Sequence, residues 1–213
     1  VVTVAKDTVA PVVDPLAASS ANGNAAPSTT TITGTTEPGA SVATSVTNGS
    51  TTVAGPTVTA DASTGTFSAT VDVSSFADGQ LTARALATDA VGNASNGGMQ
   101  TTTTFVKDTV DATIASTTPA DGSTVARPAT ITVTFTEPVT SATTVTVTRG
   151  GTAVPGSTTF SADRITATFT PTDPLTDGAH TVAVATVDDR GNTGSDSKTF
   201  TVDATGPSIT GLA

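Results

Sequence analysis

Cysteine, tryptophan and tyrosine are absent from the chain, and methionine and histidine occur once each. Without cysteine there can be no disulfide staple, thiol nucleophile or thiolate metal site. Without Trp and Tyr there is no platform for stacking on sugar faces, and the core is left to Val, Ile, Ala and seven Phe. Positive charge is also scarce: eight Lys plus Arg stand against eighteen Asp plus Glu, a net charge of -10. Such a surface repels phosphate backbones and anionic headgroups, so neither nucleic acid nor a membrane is an expected partner. No apolar run approaches the roughly 20 residues of a spanning helix. The opening Val1-Val2-Thr3-Val4-Ala5-Lys6 is no signal peptide, and the chain reads as an interior stretch of a longer extracellular protein.

What remains is a strand-forming composition. Thr and Val dominate while Leu, Met, Lys and Glu are few, and β-branched side chains suit a pleated surface. A length of 213 residues allows two domains of about 100, each with its own core.

The chain repeats itself. Lys6-Asp7-Thr8-Val9 returns as Lys107-Asp108-Thr109-Val110, and the slot recurs at Val202-Asp203-Ala204-Thr205-Gly206-Pro207. Thr36-Glu37-Pro38 returns as Thr136-Glu137-Pro138, Asp78-Gly79 as Asp177-Gly178, and Asp89-Ala90-Val91-Gly92-Asn93 as Asp188-Asp189-Arg190-Gly191-Asn192. These landmarks keep their order at a period of about 100 residues, the size of an immunoglobulin-like sandwich. Between them run alternating segments with one dry face: Phe67, Ala69, Val71 and Val73; Leu81, Ala83, Ala85 and Ala87; Ile131, Val133 and Phe135; Val145 and Val147; Ile165, Ala167 and Phe169. Turn chemistry at Asn48-Gly49, Thr64-Gly65, Asp78-Gly79, Gly150-Gly151 and Pro155-Gly156 separates them, and no helix is expected.

Two stretches carry a family likeness. Ile32-Thr33-Gly34-Thr35-Thr36-Glu37-Pro38-Gly39-Ala40-Ser41-Val42, with the Asp89 to Asn93 stretch and the closing Val106-Lys107-Asp108-Thr109, resembles the bacterial Ig-like repeats of large adhesins and biofilm-associated proteins. Pro119-Ala120-Asp121-Gly122-Ser123-Thr124-Val125 followed by Ile131-Thr132-Val133-Thr134-Phe135-Thr136-Glu137-Pro138-Val139 is similar to another bacterial Ig-like subfamily of surface-layer and secreted proteins. The expected fold is all-β, two tandem Ig-like β-sandwiches arranged end to end. The expected repeats are 1–107, with residues 1–6 as the tail of a preceding strand, and 108–205, with 206–213 opening another.

In that topology the approach to the first strand, the loop after the second and the loop between the last two lie at one end. Asp7, Glu37 and Asp89 therefore converge in the first repeat. Asp108, Glu137 and Asp188 do so in the second, with Asp111, Asp189 and Asn192 close by. Clustered carboxylates repel unless a cation is present, and calcium takes six to eight oxygens of this kind. The resemblance implies the same ion, since similar repeats bind calcium at domain junctions. The competing reading makes Asp-x-x-Gly-Asn a tight turn, its Asp bonding backbone amides and its Gly at positive φ.

Other signals point to no chemistry. His180 lacks a nucleophile to work with, and there is no phosphate-cradling loop. Lys6 and Lys107 share a boundary slot beside the linker Asp, which fits exposed strand ends rather than buried lysine cross-links. Outward strand threonine accounts for the Thr-x-Thr runs, because a twisted sheet is not the flat lattice an ice-binding surface needs. The expected function is a monomeric, non-enzymatic stalk segment at a bacterial surface, stiffened by calcium, whose partners are its neighbouring repeats. The alternatives are an adhesive ligand-binding module and an accessory domain pair of a secreted hydrolase.

Overall fold

The computed structural model describes residues 6–23 and 28–206. Of the stretch 1–6 expected to be the tail of a preceding strand, residues 1–5 lie outside the described residues, as do residues 207–213 of the stretch 206–213 expected to open another repeat. The chain divides into two compact units, Val1–Thr109 and Val110–Ala213.

The first unit is a sandwich of two sheets. β1 (Leu16–Ala18), β3 (Thr29–Thr35) and β6 (Thr66–Asp72) make one, in the order β1-β3-β6. β2 (Ala21–Asn22), β4 (Ser41–Thr47), β5 (Thr52–Thr59), β7 (Gly79–Thr88) and β8 (Thr101–Asp108) make the other, in the order β2-β8-β7-β4-β5. All pairings are antiparallel except β2 with β8, where the first strand has switched sheets to run parallel to the last. The alternation read from the sequence is realised: Phe67, Ala69, Val71 and Val73 are buried, as are Leu81, Ala83, Ala85 and Ala87. All of these but Ala69 pack with Ile32, Val42, Val46 and Phe105 into one core. Each fully buried Val, Ile or Phe contributes about 1.5–3 kcal/mol, so two inward faces of small β-branched and aromatic side chains suffice without Trp or Tyr.

The second unit repeats the plan with one more strand. β9 (Ile114–Thr118), β11 (Ile131–Phe135), β14 (Gly156–Phe160) and β15 (Thr166–Pro171) form a sheet in the order β14-β15-β11-β9. β10 (Thr124–Val125), β12 (Thr144–Arg149), β13 (Thr152–Ala153), β16 (Gly178–Val187) and β17 (Thr193–Val202) form its partner in the order β10-β17-β16-β12-β13. β10 again runs parallel to the closing strand β17. Ile131, Val133, Phe135, Val147, Ala167, Phe169, Val182 and Phe200 fill the core. Ile165, expected within the β15 run, sits just before the strand and is half-buried. Gly156, expected to turn, is instead the first residue of β14. A single 3-10 turn, Ser95–Gly98, is the helical element among the described residues. None of their helices is long and apolar enough to cross a membrane.

Candidate functional site

Asp-x-x-Gly-Asn folds into the same closed turn in both units. In the second, Asp188 Oδ1 accepts from the amides of Arg190, at 2.8 Å, and Asn192, at 2.9 Å, while Oδ2 accepts from the side-chain amide of Asn192 at 2.7 Å. Asp188 and Asn192 are each 1% exposed. In the first, Asp89 Oδ1 accepts from the amides of Val91 and Asn93 and Oδ2 from the Asn93 side chain at 2.6 Å. Gly92 at φ 98° and Gly191 at φ 89° occupy left-handed backbone that a side chain would resist, which is why the motif needs glycine there. Burial works against the charged form of Asp89. The Asn93 side chain and the backbone N–H groups of Asn93, Val91 and Gly92 outweigh it and hold the carboxyl below its ordinary range.

Asn93 and Asn192 have a second task, which the repeat period made visible only in part. Asn192 Nδ2 donates to the carbonyl of Val110 at 3.1 Å, and Asn93 Nδ2 lies 3.4 Å from the carbonyl of Val9, its counterpart, and 3.4 Å from that of Asp7. Each turn thus grips the segment that enters its own sandwich. The second unit adds further holds. Thr186 Oγ1, buried, donates to Ala112 O at 2.7 Å; Thr136 Oγ1 accepts from Thr113 N at 3.0 Å; Asp196 Oδ2 accepts from Ile114 N at 3.2 Å. From Val110 to Ile114, backbone groups are bonded by side chains of the fold, and Ala112 is fully buried. Thr136 stood out only as part of the repeated Thr-Glu-Pro landmark, and Thr186 carried no sequence signal, because β-strand Thr is common in this chain and its direction is set by the register of β16.

The acids expected to converge fare differently. Asp7 is exposed and caps its own turn, Oδ1 accepting from Val9 N at 2.9 Å, and Glu37 is exposed. Asp108 ends β8 in the first unit, where its carbonyl accepts from Gly23 N at 3.2 Å. In the second unit Glu137 and Asp188 bring a carboxylate oxygen each to within 4.8 Å of one another. Asp111 lies against Gly194, where a Cβ would stand 2.1 Å from its Oδ2, so glycine is required for that approach. Asp189 is exposed and 3.7 Å from its neighbour Arg190.

At the other pole the repeated Asp-Gly closes each sandwich. Asp78 receives Lys107 Nζ at 2.5 Å, the amide of Thr109 at 2.8 Å and the Thr109 hydroxyl. Lys107 is 6% exposed, so the expectation of an exposed strand end is corrected. The register places it opposite Gly79 in β7, and the carboxylate next door makes burial of the ammonium tolerable. Burial of Asp78 opposes its charge. Hydrogen bonds from Lys107 and Thr109 and the charge of Lys107 prevail, and its pKa lies below the ordinary value. In the second unit Val202 takes the place opposite Gly178. Asp177 there accepts from Ala204 N at 3.1 Å, with Arg127 3.8 Å away.

His180 is 1% exposed in β16, its ring stacked on Phe200 with centroids 5.3 Å apart and 14° between planes. Nδ1 is 3.0 Å from the carbonyl oxygen of Gly178.

A family model described as the CopC domain matches residues 114–203, less than half of the chain. Among solved structures, PcoC, a methionine-rich copper resistance protein from Escherichia coli, is 25% identical, spans 44% of this chain and 100% of its own, and has a TM-score of 0.42. An I-band fragment of titin is 13% identical over 92% of this chain and 66% of its own, at a TM-score of 0.50. A tetra-tandem repeat from the extending region of a large adhesion protein is 27% identical over 92% of this chain and 49% of its own, at 0.34. No curated protein matches. The calcium expected on Asp7, Glu37, Asp89, Asp108, Asp111, Glu137, Asp188, Asp189 and Asn192 is corrected by the family match over residues 114–203, which is to the CopC domain. Its physical weakness is local: Asp89 and Asp188 use both carboxylate oxygens to close their turns. The titin likeness and the two sheets of each unit establish the fold, a tandem pair of Ig-like β-sandwiches whose second member carries the CopC match.

Proposed function

We propose that this chain is a spacer segment of an extracellular bacterial surface protein, a run of Ig-like repeats that sets distance and has no chemistry of its own. The observation that carries the reading is the hold on residues 110–114. Asn192, Thr186, Thr136 and Asp196 bond the backbone on its way into the second sandwich, so the linker is taken into a fold rather than left as a tether. A Gly/Ser-rich linker would behave as a flexible coil, and none occurs around residues 106–114. The acidic surface keeps such a segment soluble and separate from its neighbours. The likeness to a copper-resistance protein raises copper for the second repeat, but residues 114–203 hold one His and no Cys or Met, and this donor set does not fit the ion.

The test is rotational diffusion of the full chain by 15N relaxation, native against Asn192→Ala with Thr186→Val. The native repeats are expected to tumble with one shared correlation time, and the variant repeats to separate. Independent tumbling in the native chain would remove the spacer reading, since a loose junction transmits no distance.

A further inference from the structure

We infer that the second repeat is a copper-free use of the CopC-type sandwich, in which the one imidazole serves as a ring of the core and not as a metal ligand. Donor chemistry governs which metal a site takes, whether or not the repeats are a spacer. Copper(I) selects thiolate and thioether sulfur, and copper(II) a tetragonal set of nitrogen and oxygen in which imidazoles dominate. Residues 114–203 offer no sulfur and a single imidazole, His180. The one methionine of the chain, Met99, belongs to the first unit and is 64% exposed.

His180 has one feature of a ligand. Its Nδ1 faces the Gly178 carbonyl, an acceptor, so Nδ1 carries a proton, and in the neutral tautomer with this bond the lone pair is on Nε2. Metal-bound histidines are oriented in the same way, through a hydrogen bond from the far nitrogen, so the surroundings of Nε2 must decide. Nε2 is buried and has no hydrogen-bond partner. His180 forms part of the wall of a cavity of about 350 Å³ together with Arg149, Asp173, Thr176, Val154 and Leu175. That wall supplies no second nitrogen or sulfur donor, and Arg149 brings a permanent positive charge that repels a cation.

What the imidazole does contact is Phe200. The two residues are directly opposite in the β16–β17 ladder, and their rings stack in the core beside Val182 and Val202. Such a cross-strand pair favours the register of the two longest strands of the repeat. The ring is therefore used for its shape, and one carboxylate in the cavity wall leaves copper without the ligands that distinguish it from harder ions.

The test loads the full chain with one equivalent of copper(II) sulfate at neutral pH, passes it through gel filtration, and measures bound metal and the electron paramagnetic resonance spectrum. Copper(I) is examined by competition with a chromophoric bicinchoninate chelator. The expected results are retention below about 0.1 copper per chain and a chelator curve displaced less than about twofold. His180→Phe should fold, keep the ring stack and leave both readouts unchanged. Retention of about one copper per native chain, or a chelator curve displaced tenfold or more, overturns the inference whether or not His180→Phe abolishes it.

Discussion

The two repeats share a fold and a turn motif, yet they hold their incoming segments and close their sandwiches by different means. In the second, four side chains bond the backbone between Val110 and Ile114. In the first, Asn93 reaches the counterpart carbonyls only at 3.4 Å, and Thr36, counterpart of Thr136, has a buried hydroxyl without a hydrogen-bond partner. Closure is the reverse. The first repeat seals its last strand with the buried Lys107–Asp78 pair, whereas the second puts Val202 in that place and leaves Asp177 with backbone and exposed arginine. The Asp-Gly and Asp-x-x-Gly-Asn turns persist because each solves a backbone problem that the Ig topology poses twice. The partners around them vary because packing can be satisfied in several ways.

Asp78→Ala tests the difference in closure most severely. It strands a nearly fully buried ammonium, a change that costs about 3–5 kcal/mol, while Asp177→Ala, with exposed partners, should cost less than about 1 kcal/mol. Urea denaturation followed by hydrogen exchange in β8 and β17 assigns each loss to its repeat. Equal losses would show that Lys107 is not held by its charge partner.

Acidification probes the same pair by another route. The pKa of Asp78 is lowered in the folded state, so its contribution is complete above the ordinary carboxylate value near 4 and disappears as pH falls through the lower folded value. The melting midpoint of the first repeat should therefore drop below about pH 4, and Lys107→Val should flatten that slope. A midpoint independent of pH between about 5 and 2 would contradict the assignment.

Asn192→Ala against Asn93→Ala measures the other difference. Removing Asn192 leaves an oxygen of the buried Asp188 and the Val110 carbonyl each short of a donor, a loss of about 1–3 kcal/mol in the second repeat. Asn93, half-buried and with longer bonds to its incoming segment, should matter less to the first. Thermal scans of both variants decide it, and the reverse order would mean that the second repeat does not depend on its grip.

Two all-β repeats are legible in the residue pattern alone. Alternation along Phe67 to Val73 and Ile131 to Phe135 fixes which faces are dry, and the recurring Asp-x-x-Gly-Asn fixes where the chain turns, since both are local properties of backbone and side-chain period. The turn reading of Asp89 and Asp188 was legible for the same reason: an Asp four residues before an Asn, with Gly between, closes on its own backbone. Which charged and hydroxyl groups far apart in sequence would meet depended on strand register and packing. Lys107 looked like an exposed boundary residue until the β7–β8 register put it opposite Gly79 and beside Asp78. Thr186 is indistinguishable from its many strand neighbours until the fold brings Ala112 beneath it. Of the acids read as gathering a cation, Asp7, Asp89 and Asp188 are taken up by amides of their own turns, because a carboxylate in a tight turn finds donors within its own loop.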